Sequence, residues 1–194
     1  MTETTTGKPL PLTLVRPTLA HLPSCIAALE RGYMPNRFDP EAARETLAEI
    51  ARDPEAFLAS HEDREAKRPP IRLPDGATVK RIPSVQRWIW DGEFCGMISL
   101  RWQPGTPDLP PTCLGHIGYQ VVPWKRRRGY ATRALGLMLP HARALGLPFV
   151  IVETDPDNIA SQRVIEANGG IFVTDYRRPP QHGSTRALRY RIDL

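Results

Sequence analysis

Around Pro123 the chain changes its period. "CLGHIGYQVV", 113–122, reads as a strand. Lys125, Arg126, Arg127, Arg128 and Gly129 follow. Then "ATRALGLMLPHARALGL" spaces Ala134, Leu135, Met138, Leu139, Ala142 and Leu145 three and four apart, one face of a helix that Pro140 should kink unless it lies on a tolerant turn. Strand, short turn, helix puts the turn at a helix N-terminus. There the first backbone N–H groups lack partners within the helix, and the macrodipole adds partial positive charge. A phosphate fits such a place. Gly129 removes a side chain where an oxygen must approach and permits positive φ, and Ala131 keeps the next approach narrow. Arg126, Arg127 and Arg128 add charge-assisted bonds. The turn suits a pyrophosphate; taken alone, a run of arginines is a solvated cap. Neither G-x-x-x-x-G-K-[ST] nor G-x-G-x-x-G occurs to offer another nucleotide site.

The rest of the chain mixes both periods. "LTLVRPT", 12–18, reads as a strand and "LAHLPSCIAALERG" as a helix closed by Gly32. Asp39 is expected as an N-cap, with Pro40 at the first helical position of a segment that Pro54 divides in two. The proline-rich stretches 67–78 and 103–112 read as loops. Between them two strand-like runs meet at Asp91-Gly92, a strong hairpin signal. "PFVIVET", 148–154, is an apolar run expected as a buried strand. "DNIASQRVIEANGG" reads as a helix stopped by Gly169-Gly170, and "IFVTDY" and "RALRYRIDL" as final strands. This order predicts one α/β domain over 10–194 with a mixed sheet, behind a flexible tail, 1–9.

Composition narrows the partners. The hydrophobic share is 41% and the charged share 24%, which is globular. The net charge is +5, but residues 125–128 supply four of it, and without them the balance is +1. Charge gathered at one place suits a compact polyanion better than nucleic acid, which is met by basic residues spread along a face. No apolar run is long enough for a membrane span, and "MTETTTGKPL" has no apolar core of a signal peptide. Three widely spaced cysteines and five histidines without ligand spacing predict no disulfide framework and no metal, and a cytoplasmic setting.

"VVPWKRRRGYAT" resembles the acetyl-CoA signature of the GNAT N-acetyltransferase superfamily, V-x-P, two residues, then [RQ]-x-x-G-x-[GA]. Val121, Pro123, Arg126, Gly129 and Ala131 occupy its positions. "DNIASQRVIEANGG" resembles the family's N-x-x-[AS] helix through Asn158, Ser161 and Gly169. The likeness is specific over residues 113–175 and architectural before that, and it is nearest a bacterial branch of predicted acetyltransferases. It implies a GNAT-like domain, a mixed central sheet of about seven strands flanked by helices. It also implies acetyl-CoA as acyl donor, a small-molecule or peptide amine as acceptor, and self-pairing of exposed final strands into a homodimer. The Val121 and Val122 backbone is then expected to pair with the pantetheine arm as an added strand would. Backbone groups from Arg127 through Tyr130, Ala131 and Thr132 are expected to hold the pyrophosphate. Asn158 and Ser161 are expected to border the cofactor; equally, Asn158 suits an N-cap and Ser161 a packed helix face.

The acid and base are less plain. Many family members carry a tyrosine seven residues after the asparagine; here that position is Ile165. Tyr176 and Tyr190 are substitutes, though strand tyrosines usually pack. Glu153, at the end of its strand, and His116 are the candidate bases. Either has a structural alternative, Glu153 as an acceptor bonded to backbone or an arginine, His116 as a buried, hydrogen-bonded ring. Alternation puts His116 with Gly118 and Gln120, opposite Tyr119 and Val121, unless a bulge, which the resemblance implies is common here, reverses that parity. The acceptor lining would come from Tyr33, Arg37, Trp88, Trp90, Arg101, Trp102 and the loop 177–184, with Arg37 and Arg101 able to receive a carboxylate. Two other functions compete: a non-catalytic acyl-CoA binder on the same fold, and a nucleic-acid binder using 125–128 and 177–178.

Overall fold

In the computed structural model the described residues are 11–36, 39–72, 76, 78–180 and 183–194, so the expected tail 1–9, Arg37 and positions 181–182 of the 177–184 loop lie outside them. Strand β1 (Thr13–Val15) leads into α1 (Leu22–Glu30), α2 (Ala42–Arg52) and α3 (Pro54–Ala59). Short strands β2 (Glu62–Asp63), β3 (Ile71–Arg72) and β4 (Thr78–Val79) come next. The long hairpin β5 (Ser84–Trp90) and β6 (Phe94–Arg101) precedes β7 (Ile117–Val121), α4 (Tyr130–Ala144), β8 (Phe149–Thr154) and α5 (Ile159–Glu166). The chain finishes with β9 (Ile171–Arg177) and β10 (Arg186–Asp193).

Seven strands lie in the order β1-β5-β6-β7-β8-β10-β9, with β2 added against β5. Every neighbouring pair is antiparallel except β7 and β8, so the sheet is mixed. The alternation of β6 shows how the layers form. Ile98 and Leu100 are fully buried on the face that α4 covers, while Met97, Ser99 and Arg101 are half-buried on the other. Ala134, Leu135, Met138 and Ala142 of α4 pack on the first face with Ile117, Val150 and Val152. The second face holds a smaller core under α1, where Trp88 meets Phe94 edge-on at 5.0 Å and Phe94 meets Tyr33 at 5.3 Å.

Several local expectations change in three dimensions. Asp39 does not cap α2: its carboxylate accepts the Glu41 N–H at 2.9 Å in a turn before the helix, which starts at Ala42. Pro54 does divide the segment, and Asp53 caps α3 by accepting the Ala56 N–H. The 67–78 loop contains the small β3–β4 ladder, whose two-residue strands are too short to show a period. Strand β8 is not buried throughout, because only Val150, Val152 and Thr154 are buried, alternating with half-buried Phe149, Ile151 and Glu153. Strand β9 forms the sheet edge, with Ile171, Phe172 and Val173 exposed.

Candidate active site

Strands β7 and β8 run side by side in register at one pair among the described residues, Ile117 with Val152. Beyond it they part, and a cleft of about 1340 Å³ opens between them. Gln86, Ser99 and Gly118 are cross-strand neighbours on its floor. The turn before α4 forms one end, and Glu153, Thr154, Asn158 and Ser161 line the far wall.

The turn has the form expected of an anion cradle. Gly129 sits at the N-cap of α4 with φ +77° and open space where a side chain would be. Arg127 also takes a left-handed conformation, φ +59°, which a non-glycine residue adopts at a cost. The Arg133 N–H bonds back to the Gly129 carbonyl at 3.0 Å. The N–H groups of Tyr130, Ala131 and Thr132 precede that first helical bond, and no side chain at Gly129 caps them. Arg126 and Arg127 line the cleft with these groups, and Arg128 lies exposed outside the lining.

Lys125 leaves the basic cluster. It is buried, and its Nζ donates to both Asp91 oxygens at 2.8 and 2.9 Å and pairs with Glu93 at 2.7 Å. Tyr130 donates its hydroxyl to the same Asp91 at 2.5 Å. Burial raises the Asp91 carboxyl, but the bonds from Lys125 and Tyr130 outweigh it and hold the group at about 2. Asp91 thereby ties the β5–β6 turn to the cradle. In sequence its only signal is the hairpin dipeptide.

Of the two valines, Val121 edges the cleft, with its carbonyl accepting from Arg126 Nε at 3.2 Å. Val122 does not fit the expected pairing. Its N–H donates to the Cys95 carbonyl, its own carbonyl accepts the Lys125 N–H, and its side chain is fully buried under α1. Asn158 caps α5 by accepting the Ser161 N–H at 3.1 Å. The Ser161 hydroxyl lies 2.8 Å from the Tyr119 hydroxyl. Burial, partly offset by this bond, pushes the Tyr119 phenol up to about 12. Tyr119 thus stands in the cleft where Ile165, fully buried in the core, cannot. In sequence Tyr119 carries no signal beyond its place in a strand. The Thr154 hydroxyl, also on the cleft wall, is buried with no partner among the described residues.

The two candidate bases are placed very differently. Glu153 lines the cleft, and Arg189, its cross-strand neighbour, donates twice to one carboxylate oxygen at 2.9 and 2.7 Å. Tyr176 donates to the other oxygen at 2.5 Å. His116 is fully buried just before β7 and is not in the lining. Its Nδ1 accepts the Ile151 N–H at 2.9 Å, so its proton is on Nε2, 3.1 Å from the Pro107 carbonyl. Burial pushes the ring down to about 4. Both nitrogens serve the backbone, which is the structural alternative for this residue.

The remaining lining candidates separate as well. Tyr33, Trp88 and Trp102 are core, as is Tyr190, the other substitute acid. Arg101 and Arg178 line the cleft. Among the described residues no three side chains gather as metal ligands, and no helix is long and apolar enough to cross a membrane.

Residues 12–171 match the family model of the acetyltransferase (GNAT) domain. The chain therefore belongs to the GNAT acetyltransferase family. A comparison with curated proteins gives no significant match. Solved structures agree in fold at low identity. The microcin self-immunity acetyltransferase MccE, solved with acetyl-CoA and AMP, is 12% identical over 94% of this chain and 92% of its own, with a TM-score of 0.58. The ribosomal-protein alpha-N-acetyltransferase RimL, solved with coenzyme A, is 13% identical over 96% and 98%, with a TM-score of 0.60. An acetyltransferase from Agrobacterium tumefaciens is 19% identical over 100% and 97%, with a TM-score of 0.53.

Proposed function

We propose that this protein is an acetyl-CoA-dependent N-acetyltransferase that moves an acetyl group directly to the primary amine of a small molecule or peptide. One observation carries the reading: β7 and β8 split after a single register pair, beside the uncapped first turn of α4. MccE and RimL, of the same fold, were solved with acetyl-CoA and coenzyme A. The residues here fit such a group. Open space at Gly129, the N–H groups of Tyr130, Ala131 and Thr132 that no N-cap side chain takes, and the Thr154 hydroxyl, without a partner among the described residues, all face or border the cleft.

When bound, acetyl-CoA supplies an acetyl group activated as a thioester. The first turn of α4, with Arg126 and Arg127, holds anionic oxygens. The β7 edge at Val121 aligns an extended arm. Asn158 and Ser161 border it from α5. Tyr119 keeps its proton at neutral pH, oriented by Ser161, and is the proposed proton donor. Glu153 is the proposed acceptor of the amine proton through a water, since both its oxygens already take hydrogen bonds. Direct transfer is favoured because none of Cys25, Cys95 and Cys113 lines the cleft.

The test is the melting temperature with and without excess acetyl-CoA, for wild type and Gly129→Glu. At about 100 times its dissociation constant the ligand stabilises the native state by roughly 2.7 kcal/mol. The wild type should shift upward and release free coenzyme A with an amine acceptor. Gly129→Glu, which puts a negative side chain into the cradle, should show no shift. A folded wild type indifferent to acetyl-CoA would sink the reading, and binding without turnover on any amine would leave a non-catalytic binder.

A further inference from the structure

The charges of the cleft do not balance locally. Lys125 is paired with Asp91, and Glu153 with Arg189. On the same wall Asp155 pairs with Arg178 at 2.6 Å. Arg126 and Arg127 stand at the cradle. Arg101 remains. It is half-buried and lines the cleft, and its partners among the described residues are neutral: Nη1 donates to the Gly115 carbonyl and Nη2 to the Ser99 hydroxyl, both at 2.9 Å.

The floor is shaped around this guanidinium. Ser99, which orients Nη2, is itself anchored by donating to the Gly118 carbonyl at 3.2 Å. A Cβ added at Gly118 would stand 3.1 Å from Nη2, so glycine leaves the space that the guanidinium occupies against β7. Gly118 is the residue after Ile117, where β7 leaves β8, and Glu153 follows Val152 on the other strand. Arg101 therefore presents its charge at the apex of the split, on the sheet face that carries Glu153.

A cation with only neutral partners among the described residues repels a simple ammonium ion and favours an amine that brings its own anion. Guanidinium takes a carboxylate with two parallel bonds. The wall across the split carries two carboxylates, Glu153 and Asp155, but Arg189 and Arg178 already hold them, so neither is left to neutralise Arg101. We propose that the acceptor is an amino-acid-like molecule, a small amine carrying a carboxylate that Arg101 receives at the apex of the cleft. This rests on the N-acetyltransferase reading and names its substrate class.

Product analogues test it without knowing the acceptor. The protein is saturated with coenzyme A, and its melting temperature is followed with a set of N-acetylamino acids and the matched primary amides. The expected result is a further upward shift from a subset of the acids and none from their amides. Arg101→Gln should keep the coenzyme A shift and weaken the acids roughly tenfold or more. Gly118→Ala, which crowds the guanidinium without removing its charge, should weaken them as well and serves if Arg101→Gln fails to fold. Equal shifts from acids and amides, undiminished acid binding in a folded variant, or no acid effect beside a clear coenzyme A shift would each overturn the carboxylate site and leave the acetyltransferase reading standing. No shift from coenzyme A itself would overturn both.

Discussion

Tyr119 and His116 stand three residues apart and have opposite environments. Tyr119 faces the cleft with its hydroxyl on Ser161. Losing that hydroxyl should lower kcat by about 100-fold, the low end for a positioned acid, with the KM for acetyl-CoA nearly unchanged. An unaltered kcat in Tyr119→Phe would exclude it as the proton donor. His116 is a matter of stability. Its folded value of about 4 lies below the free value of 6.5, so between these the unfolded chain binds the proton first. Stability should fall as pH drops from 6.5 to 4, and less steeply in His116→Gln; parallel curves for the two proteins would refute the assignment. Position in or beside the strand was visible in sequence for both residues. Which ring the fold would wall off was not, because the Ile151 and Pro107 backbone groups that hold His116 come from other segments.

At the scale of elements, the cradle depends on a hairpin remote in sequence. Asp91 and Lys125, 34 positions apart, form a nearly buried pair, and Asp91 also receives Tyr130 at the first position of α4. Removing one partner leaves a buried charge. Asp91→Asn should cost about 3 kcal/mol in denaturant unfolding, the low end for such a pair because Glu93 stays on Lys125. It should weaken acetyl-CoA binding too, by loosening the turn. A cost within experimental error would show that Asp91 is not the anchor. The turn itself was legible, since glycine after a basic run between a strand and a helix is a local pattern. So was the division at Pro54. The short β3–β4 ladder and the capping of α2 were not, because their signals span too few residues to stand out from loop chemistry.

On the scale of the molecule, the sheet has two parts, β1-β5-β6-β7 and β8-β10-β9, meeting at one register pair and bridged by α4 packed across the join. A ligand in the split should act at this junction. Hydrogen exchange with and without acetyl-CoA should show added protection at residues 118–121, 127–132 and around Ser161, and none along the β9 edge. Uniform or absent protection would argue against a ligand seated between β7 and β8. By itself the sequence determined the fold class, the order of the main elements and the strand–turn–helix around Gly129. Each of these rests on period, proline, glycine and charge within a few residues of one another. Only the tertiary structure decided that Lys125 is internal, that Glu153 is held by Arg189, that Tyr119 meets Ser161 and that Arg101 has no counterion among the described residues. Those facts join residues far apart in the chain, such as Glu153 and Arg189 across 36 positions and Tyr119 and Ser161 across 42. Strand register and the packing of α5 on α4 and β8 bring them within bonding distance, and no local pattern encodes either.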